Sequence, residues 1–143
     1  MLVIEWFSID VSVLFIALAS YNNAVMDTCA HHYSSSIFNN GTAKSNRWYN
    51  AEISWKNKYV NYDKKQGRVK WSIFGFKFNK PVQLTDAWHF HKMLMIIFIC
   101  CAIISHNTSD SFLRSLLQLL FYGFVWNITF SLFYDKLLIK HKI

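Results

Sequence analysis

Every residue from Met93 to Ile104 is apolar, and the surrounding stretch 88–105 carries Lys92 as its one formally charged residue. A helix needs about 20 mostly apolar residues to cross the hydrocarbon core of a bilayer, and this stretch approaches that length. Two further runs, 2–19 and 112–138, have a similar character. We therefore predict an all-α membrane protein with three transmembrane helices.

The aromatic content supports the same prediction. The chain has 143 residues, of which 53% are hydrophobic, and it includes 13 Phe, 7 Tyr and 6 Trp. A water-soluble domain of this size has too little interior to bury so many large side chains. A bilayer covers apolar surface, and its headgroup zone favours Trp and Tyr.

The first run is the least regular of the three. It contains Glu5 and Asp10, and its helical pattern continues to Tyr33, which predicts a first span within 2–33. Ala17-Leu18-Ala19 resembles the small-residue cleavage site of a signal peptide, so a cleaved leader is the alternative. A signal peptide begins with a basic region, and this run has none, which favours an uncleaved helix.

Residues 35–84, called here the basic segment, separate the first and second runs. The basic segment holds ten Lys or Arg and two acidic residues, a charge of +8, whereas the rest of the chain sums to −1. This concentration predicts anionic lipid headgroups or nucleic acid as neighbours. Cations among aromatic rings suit single-stranded nucleic acid, but the adjacent spans favour membrane lipids. Headgroup contacts are predicted for Arg47, Lys56, Lys58, Lys64, Lys65, Arg68 and Lys70.

The basic segment is predicted to be an ordered cap on the membrane surface. Residues 69–78 alternate partly as a strand does, so the cap is expected to contain short strands. The positive-inside rule places this segment and the basic tail in the cytoplasm, with the N-terminus and the polar turn 106–111 outside. The chain then divides into 1–34 (first span and its cytoplasmic extension), 35–84, and 85–143 (two spans forming a hairpin, with a basic tail).

Asp and His residues lie near the predicted cytoplasmic ends of all three spans. Asp27 and His31 are four residues apart, and Asp86 and His89 are three apart, so each pair shares a helix face. Asp135 lies near the end of the third span. Carboxylate and imidazole bind first-row metals, so one hypothesis is a divalent Zn, Mn or Fe site that activates water to hydrolyse a lipid headgroup.

The favoured alternative gives these side chains a structural role, in which they cap helices and bond to loop residues. Thr85 is predicted to be the N-cap of the second span, with Asp86 in the first turn, where a negative charge suits the helix dipole. His32 and His91 are interpreted as side chains at the membrane interface.

The third run contains the polar residues Gln118, Asn127 and Ser131 among apolar neighbours. Polar groups inside a span have two main uses. They bond to neighbouring helices, which is the favoured interpretation here, or they line a path for a solute. Because three helices are few for a monomeric pore, the second use requires a homo-oligomer or another membrane protein.

The sequence offers little support for an enzyme. The three cysteines form no CxxC pair and are interpreted as inert thiols. There is no GxSxG, Walker or Rossmann glycine pattern, and six histidines are too few for the histidine boxes of membrane di-iron enzymes. We expect a non-enzymatic membrane or accessory protein, with the metal-dependent hydrolase and an oligomeric transporter or channel subunit as alternatives.

Two stretches carry a resemblance. Residues 53–59 (ISWKNKY), followed by KKQG at 64–67, and residues 84–92 (LTDAWHFHK) resemble an uncharacterised family of small polytopic membrane proteins of the bacterial and phage type. The resemblance covers about the middle third of the chain. It implies a polytopic membrane protein and no particular catalytic residue.

Overall fold

A computed structural model describes residues 11–106 and 112–140. The described chain is mostly helical, with one small sheet. Its helices are α1 Val11–His31, α2 Ala43–Tyr49, α3 Ala51–Ser54, α4 Ala87–Ser105 and α5 Phe112–Ser131, and its strands are β1 Lys70–Ile73 and β2 Phe76–Asn79. Short 3-10 turns occupy Tyr33–Ser35, Trp55–Lys58, Val60–Tyr62, Lys64–Gln66 and Val82–Leu84, and a π-helix continues α5 over Leu132–Leu138.

Three helices are long and apolar enough to cross a membrane: α1, α4, and α5 together with its π-helical continuation. This confirms the predicted helical class and the positions of the three candidate spans. Residues Glu5 and Asp10 of the first run, residues 107–111 of the predicted polar turn and residues 141–143 of the tail lie outside the described residues.

The first helix packs against both α4 and α5. Its buried side chains are mostly small, which allows neighbouring helices to approach closely. They are Ser12, Ala19, Ser20, Asn22, Ala24, Val25, Met26, Thr28 and Cys29. None of the residues of α5, all of which the structure describes, is buried. The side chains of α5 therefore form an extended apolar surface, whereas α1 is the packing centre of the fold.

The start of α4 differs from the predicted one. Asp86, not Thr85, is the N-cap, because its extended backbone lets its Oδ1 accept from the backbone N–H of His89 at 2.9 Å. The Thr85 hydroxyl instead contacts the Val82 carbonyl oxygen at 2.7 Å, which closes the preceding 3-10 turn. The prediction placed the cap one residue too early because Thr and Asp are both good capping residues.

The end of the π-helix returns to the beginning of the basic segment. The backbone N–H of Ile37 donates to the Leu138 carbonyl at 2.9 Å, and that of Lys140 donates to Ser35 at 2.7 Å. The Lys140 ammonium adds a bond of 2.8 Å to the Asn39 carbonyl. This pairing fixes the last described residues against residues 35–39.

The predicted strand within 69–78 is a two-stranded antiparallel hairpin. Ile73 pairs with Phe76, so only Phe74 and Gly75 form the turn. Both turn residues have positive φ (50° and 84°), which is typical of the two-residue turns that join hairpin strands. Residues 70–79 are called here the aromatic hairpin. The remainder of the basic segment consists mainly of short helices and 3-10 turns with the loops between them.

Candidate anion-binding site

A basic cavity of about 430 Å³ lies between α2, the 3-10 turns that follow it and the start of α4. Three cationic side chains line it together with aromatic and polar groups: Lys44, Arg47, Lys80, Trp48, Tyr62, Asn57 and Thr85. No Asp or Glu of the described chain is among the lining residues. A concave site with three cations and no opposing carboxylate has the electrostatics of an anion-binding pocket.

Asn57 holds the two sides of the basic cavity together. Its side-chain amide donates to the Arg47 carbonyl at 2.6 Å and to the Thr85 carbonyl at 2.8 Å. One amide group has two N–H donors, so both bonds form at once. Asn57 therefore ties α2 to the residues just before α4, which fixes the distance between the cations and the start of that helix.

Arg47 is oriented by Tyr62. The guanidinium lies 4.7 Å from the centre of the Tyr62 ring, and its Nη1 is 3.1 Å from the phenolic oxygen. Cation–π contact and a hydrogen bond together restrain a side chain that is otherwise exposed. A guanidinium has five N–H donors, so the bond to Tyr62 leaves donors available for a phosphate or carboxylate oxygen.

Tyr62 reaches this position through an uncommon backbone conformation. Asn61 and Tyr62 both have positive φ, 49° and 61°. Such values are uncommon for residues other than glycine and are unfavourable for a bulky side chain. The Asn61 side chain donates to Gln66 Oε1 at 2.9 Å, which helps to hold the turn. This backbone conformation at residues 61–62 directs the Tyr62 ring toward Arg47.

A second cavity of about 380 Å³ shares Lys44 and Trp48 with the basic cavity. Its wall includes Tyr49, whose ring stacks on Phe38 with 4.5 Å between centres. Burial, followed by the nearby Cys29 and Tyr21, raises the pKa of the Tyr49 phenol. The Tyr49 side chain in the wall of the second cavity is therefore uncharged at physiological pH.

The predicted headgroup residues lie at different places on the basic segment, and of these only Arg47 lines the basic cavity. Lys56 and Lys58 lie over aromatic rings, with 5.7 Å from Lys56 Nζ to Trp55 and 5.4 Å from Lys58 Nζ to Tyr59. The remaining four are exposed, and they are Lys64, Lys65, Arg68 and Lys70.

Sequence reasoning did not select Lys44 and Lys80 as headgroup residues. They lie 36 positions apart and share no motif. The +8 charge of the whole segment was the only available signal, because the cavity is created by tertiary contacts through Asn57.

The predicted metal ligands are not brought together as a group. Among the described residues, no three His, Cys, Asp or Glu side chains are placed to hold a metal ion. Asp86 and His89 are in contact, with 2.8 Å between His89 Nδ1 and Asp86 Oδ2. Asp27 is half-buried on α1, whereas His31 and Asp135 are exposed.

The Asp86 carboxylate is committed to local structure. It is 2% exposed, its Oδ1 caps α4, and its Oδ2 lies 3.0 Å from the Thr85 hydroxyl. Buried carboxylates require such partners because desolvation is costly. These contacts support the structural interpretation of this Asp–His pair.

A polar contact between α1 and α4 was not predicted. His91 Nδ1 lies 2.6 Å from Asn22 Oδ1, and the Asn22 amide nitrogen donates to the Leu18 carbonyl at 2.7 Å. Because that bond orients the Asn22 amide, its oxygen faces the ring and His91 Nδ1 is the donor. The interpretation of His91 as an interfacial side chain stays a prediction, and the structure adds that its ring bonds to a residue of α1.

The polar residues of the third span do not form the predicted contacts between helices in the described part of the chain. Asn127 is exposed and donates to the Gly123 carbonyl of its own helix at 2.8 Å. Ser131 is also exposed, and the buried Gln118 Oε1 has no hydrogen-bond partner among the described residues. Polar contacts between α1 and α5 are made instead by Ser20, whose hydroxyl donates to the Trp126 carbonyl at 2.7 Å, and by Ser12, whose hydroxyl lies 2.5 Å from that of Tyr122.

Comparison with protein families, curated proteins and solved structures gives no match for this chain.

Proposed function

We propose that this chain is a non-enzymatic integral membrane protein whose basic segment binds the phosphate-bearing headgroup of an anionic lipid. The observation that carries the proposal is the basic cavity, in which Lys44, Arg47 and Lys80 face one space without an opposing carboxylate. The basic segment and the tail lie on the cytoplasmic side in this proposal, because positive charge is retained there.

The position of the basic cavity supports a lipid ligand. Thr85, at the cavity wall, precedes α4 by two residues, so a membrane crossed by α4 has its headgroup layer at this level. Trp88 and Lys92 lie in the first turns of α4, with Lys92 Nζ 4.8 Å from the Trp88 ring. An aromatic ring and a long cationic side chain are typical of the membrane interface.

Lipid binding is tested on the full-length protein in detergent by counting bound lipids with native mass spectrometry. Phosphatidylglycerol and phosphatidylcholine with identical acyl chains are the probes. We expect the wild type to prefer phosphatidylglycerol. Each Lys or Arg near an anionic surface contributes about 1 kcal/mol, which is about fivefold in affinity. No preference between the two lipids would overturn the proposal.

A matched pair of variants locates the site. The variant K44Q/R47Q/K80Q removes the cavity cations, and K56Q/K64Q/K65Q removes three charges elsewhere on the basic segment. We expect the first to lose at least tenfold in preference and the second to lose much less. Equal losses would show that diffuse charge, not the cavity, holds the lipid. The double variant K44Q/K80Q, which leaves the contact between Arg47 and Tyr62 intact, guards against misfolding.

A soluble anion could supply the same phosphate chemistry. Titration with inorganic phosphate in the absence of added lipid separates the two sources. Binding of phosphate that depends on Arg47, with no lipid preference, would assign the cavity to a soluble anion instead of a headgroup. We expect phosphate alone to bind weakly, because it lacks the acyl chains that hold a headgroup beside α4.

A second candidate function is a subunit of an oligomeric transporter or channel. It is favoured by the exposed polar residues Asn127 and Ser131, which lie four residues apart on the mostly apolar surface of α5. Polar side chains facing lipid are costly, and a second copy would cover them. Mass measurement in mild detergent tests this function, since a strictly monomeric protein would exclude it.

A further inference from the structure

The aromatic hairpin has one apolar face and one polar face. Paired residues of an antiparallel sheet lie on the same side, and sides alternate along each strand. The register pairs Trp71 with Phe78 and Ile73 with Phe76, so these four apolar residues share one face. The opposite face carries Lys70, Ser72, Lys77 and Asn79. The hairpin is therefore amphipathic along its whole length.

The apolar face is uncovered in the structure. All eight strand residues are exposed, and on this face Phe76 is 78% exposed and Ile73 50%. Trp71 and Phe78 contact each other, with 6.4 Å between ring centres. Removing large apolar side chains from water is the main favourable contribution to folding and to membrane binding. Leaving this face in water therefore forfeits a large stabilisation for so small an element.

The turn of the aromatic hairpin presents a phenylalanine. Phe74 is 96% exposed and has a φ of 50°, a conformation in which Asn or Gly is preferred. A bulky residue at positive φ is an outlier that often marks a functional position. The hairpin turn therefore exposes the Phe74 ring, and the positive φ of this residue is energetically unfavourable.

The base of the hairpin lies beside the basic cavity. The backbone N–H of Lys80 donates to the Val69 carbonyl at 2.8 Å, and the Lys80 side chain lines the cavity. Six residues, 81–86, separate Lys80 from the first residue of α4. Six residues span at most about 20 Å, so the aromatic hairpin stays within reach of the membrane that α4 is proposed to cross.

We propose that the aromatic hairpin inserts Phe74 and its apolar face into the headgroup–acyl boundary of the same leaflet that the basic segment faces. Lys70 and Lys77, on the opposite face, extend to lipid phosphates. Aromatic residues beside cations are the composition of interfacial anchors. The positive charge of these two lysines and the +8 charge of the basic segment are complementary to an anionic membrane surface. This inference rests on the proposed function, because it needs the basic segment to lie on the membrane.

The test places an environment-sensitive fluorophore on the hairpin of full-length protein in nanodiscs that hold one copy each. Cys100→Ala and Cys101→Ala remove the two cysteines that are not buried, and Phe74→Cys carries the label. We expect a blue-shifted emission that is quenched by doxyl-labelled lipid and protected from iodide. Ser72→Cys, on the polar face, is the matched control and is expected to remain open to iodide.

A label at position 74 that stays open to iodide in nanodiscs would overturn the inference. Protection that appears only in discs with two copies would also overturn it, because a second chain would then cover the hairpin. The lipid-preference measurement separates this failure from failure of the proposed function. The variant F74S/F76S is expected to lose doxyl quenching at a label on Trp71→Cys, on the apolar face, while keeping the preference for phosphatidylglycerol.

Discussion

His91 on α4 donates a hydrogen bond of 2.6 Å from Nδ1 to Oδ1 of Asn22 on α1, and Asn22 is 2% exposed. This contact joins the two most extensively packed helices at a point where small side chains bring them together. The Tyr21 ring lies edge-on to His91, with 6.3 Å between ring centres. The hydrogen bond is directional and the ring contact is steric, so together they restrain how α1 and α4 slide and rotate against each other.

Removal of this hydrogen bond is expected to destabilise the helix pair. For Asn22→Ala we expect a loss of about 0.6–1.7 kcal/mol, from the average to the largest value measured for polar contacts between helices in membranes. Unfolding in bicelles or mixed micelles measures the free energy, and Asn23→Ala, at the half-buried neighbouring position, is the control. In a double-mutant cycle with His91→Phe, strict additivity would contradict a direct bond.

Replacement of the Asp86 cap is expected to weaken the start of α4. Asp86→Ala should cost about 0.5–2 kcal/mol, because the backbone N–H of His89 loses its acceptor. Asp86→Asn keeps an acceptor oxygen and should restore most of the stability. Thermal unfolding followed by circular dichroism in detergent measures both variants.

Substitutions at Asp86 and His89 address the metal hypothesis. Since no group of ligands is assembled among the described residues, elemental analysis should find no stoichiometric Zn, Mn or Fe in the purified protein. A metal that is present in the wild type and lost from both Asp86→Asn and His89→Ala would contradict the purely structural role of the pair.

Stability is expected to fall at alkaline pH through Tyr49. Burial raises the pKa of Tyr49 in the folded chain, so the unfolded chain releases this proton first as the pH rises. The unfolded state then binds fewer protons, and the free energy of unfolding decreases above about pH 10, the ordinary pKa of tyrosine. Unfolding measured at pH 9 and pH 11 checks this.

Tyr49→Phe isolates that contribution from the other titrating groups. It removes the proton and keeps the ring that stacks on Phe38. The difference in stability between pH 9 and pH 11 should therefore be smaller in this variant than in the wild type. An identical difference in both proteins would show that Tyr49 is solvated in the folded state.

The orientation of the basic segment is open to chemical labelling. Lys64 lies on an exposed 3-10 turn, so a cysteine introduced by Lys64→Cys should react with a maleimide. If the basic segment is cytoplasmic, as proposed, a membrane-impermeant maleimide should label this cysteine only when the cytoplasmic face is accessible. Intact spheroplasts and inverted vesicles provide the two sides, and Cys100→Ala with Cys101→Ala removes background. Labelling in intact spheroplasts would reverse the proposed topology.

The positions of the three long helices could be predicted from the sequence, because each helix coincides with a mostly apolar stretch that is recognised without knowledge of its neighbours. The start of α4 was placed to within one residue for the same local reason. The basic cavity was not predictable, since it depends on Asn57 reaching two backbone carbonyls 10 and 28 positions away. The Asn22–His91 bond joins residues 69 positions apart and depends on how α1 and α4 rotate against each other.

The aromatic hairpin was predicted only in part from the sequence. Alternation in residues 69–78 indicated extended structure, but the turn residues are Phe-Gly, not the Asn-Gly that marks a hairpin in sequence. The division into two strands was therefore missed, although the amphipathic pattern was visible.

The backbone pairing between residues 35–37 and 138–140 has a consequence for biogenesis. During synthesis, residues 35–39 emerge about a hundred positions before Lys140, whose side chain and backbone both bond to them. Contacts of such sequence separation form late, because the loop between them must close first. The contacts of residues 35–39 are therefore completed only after residues 138–140 have been synthesised, and shortening the C-terminus would disturb a region synthesised long before it.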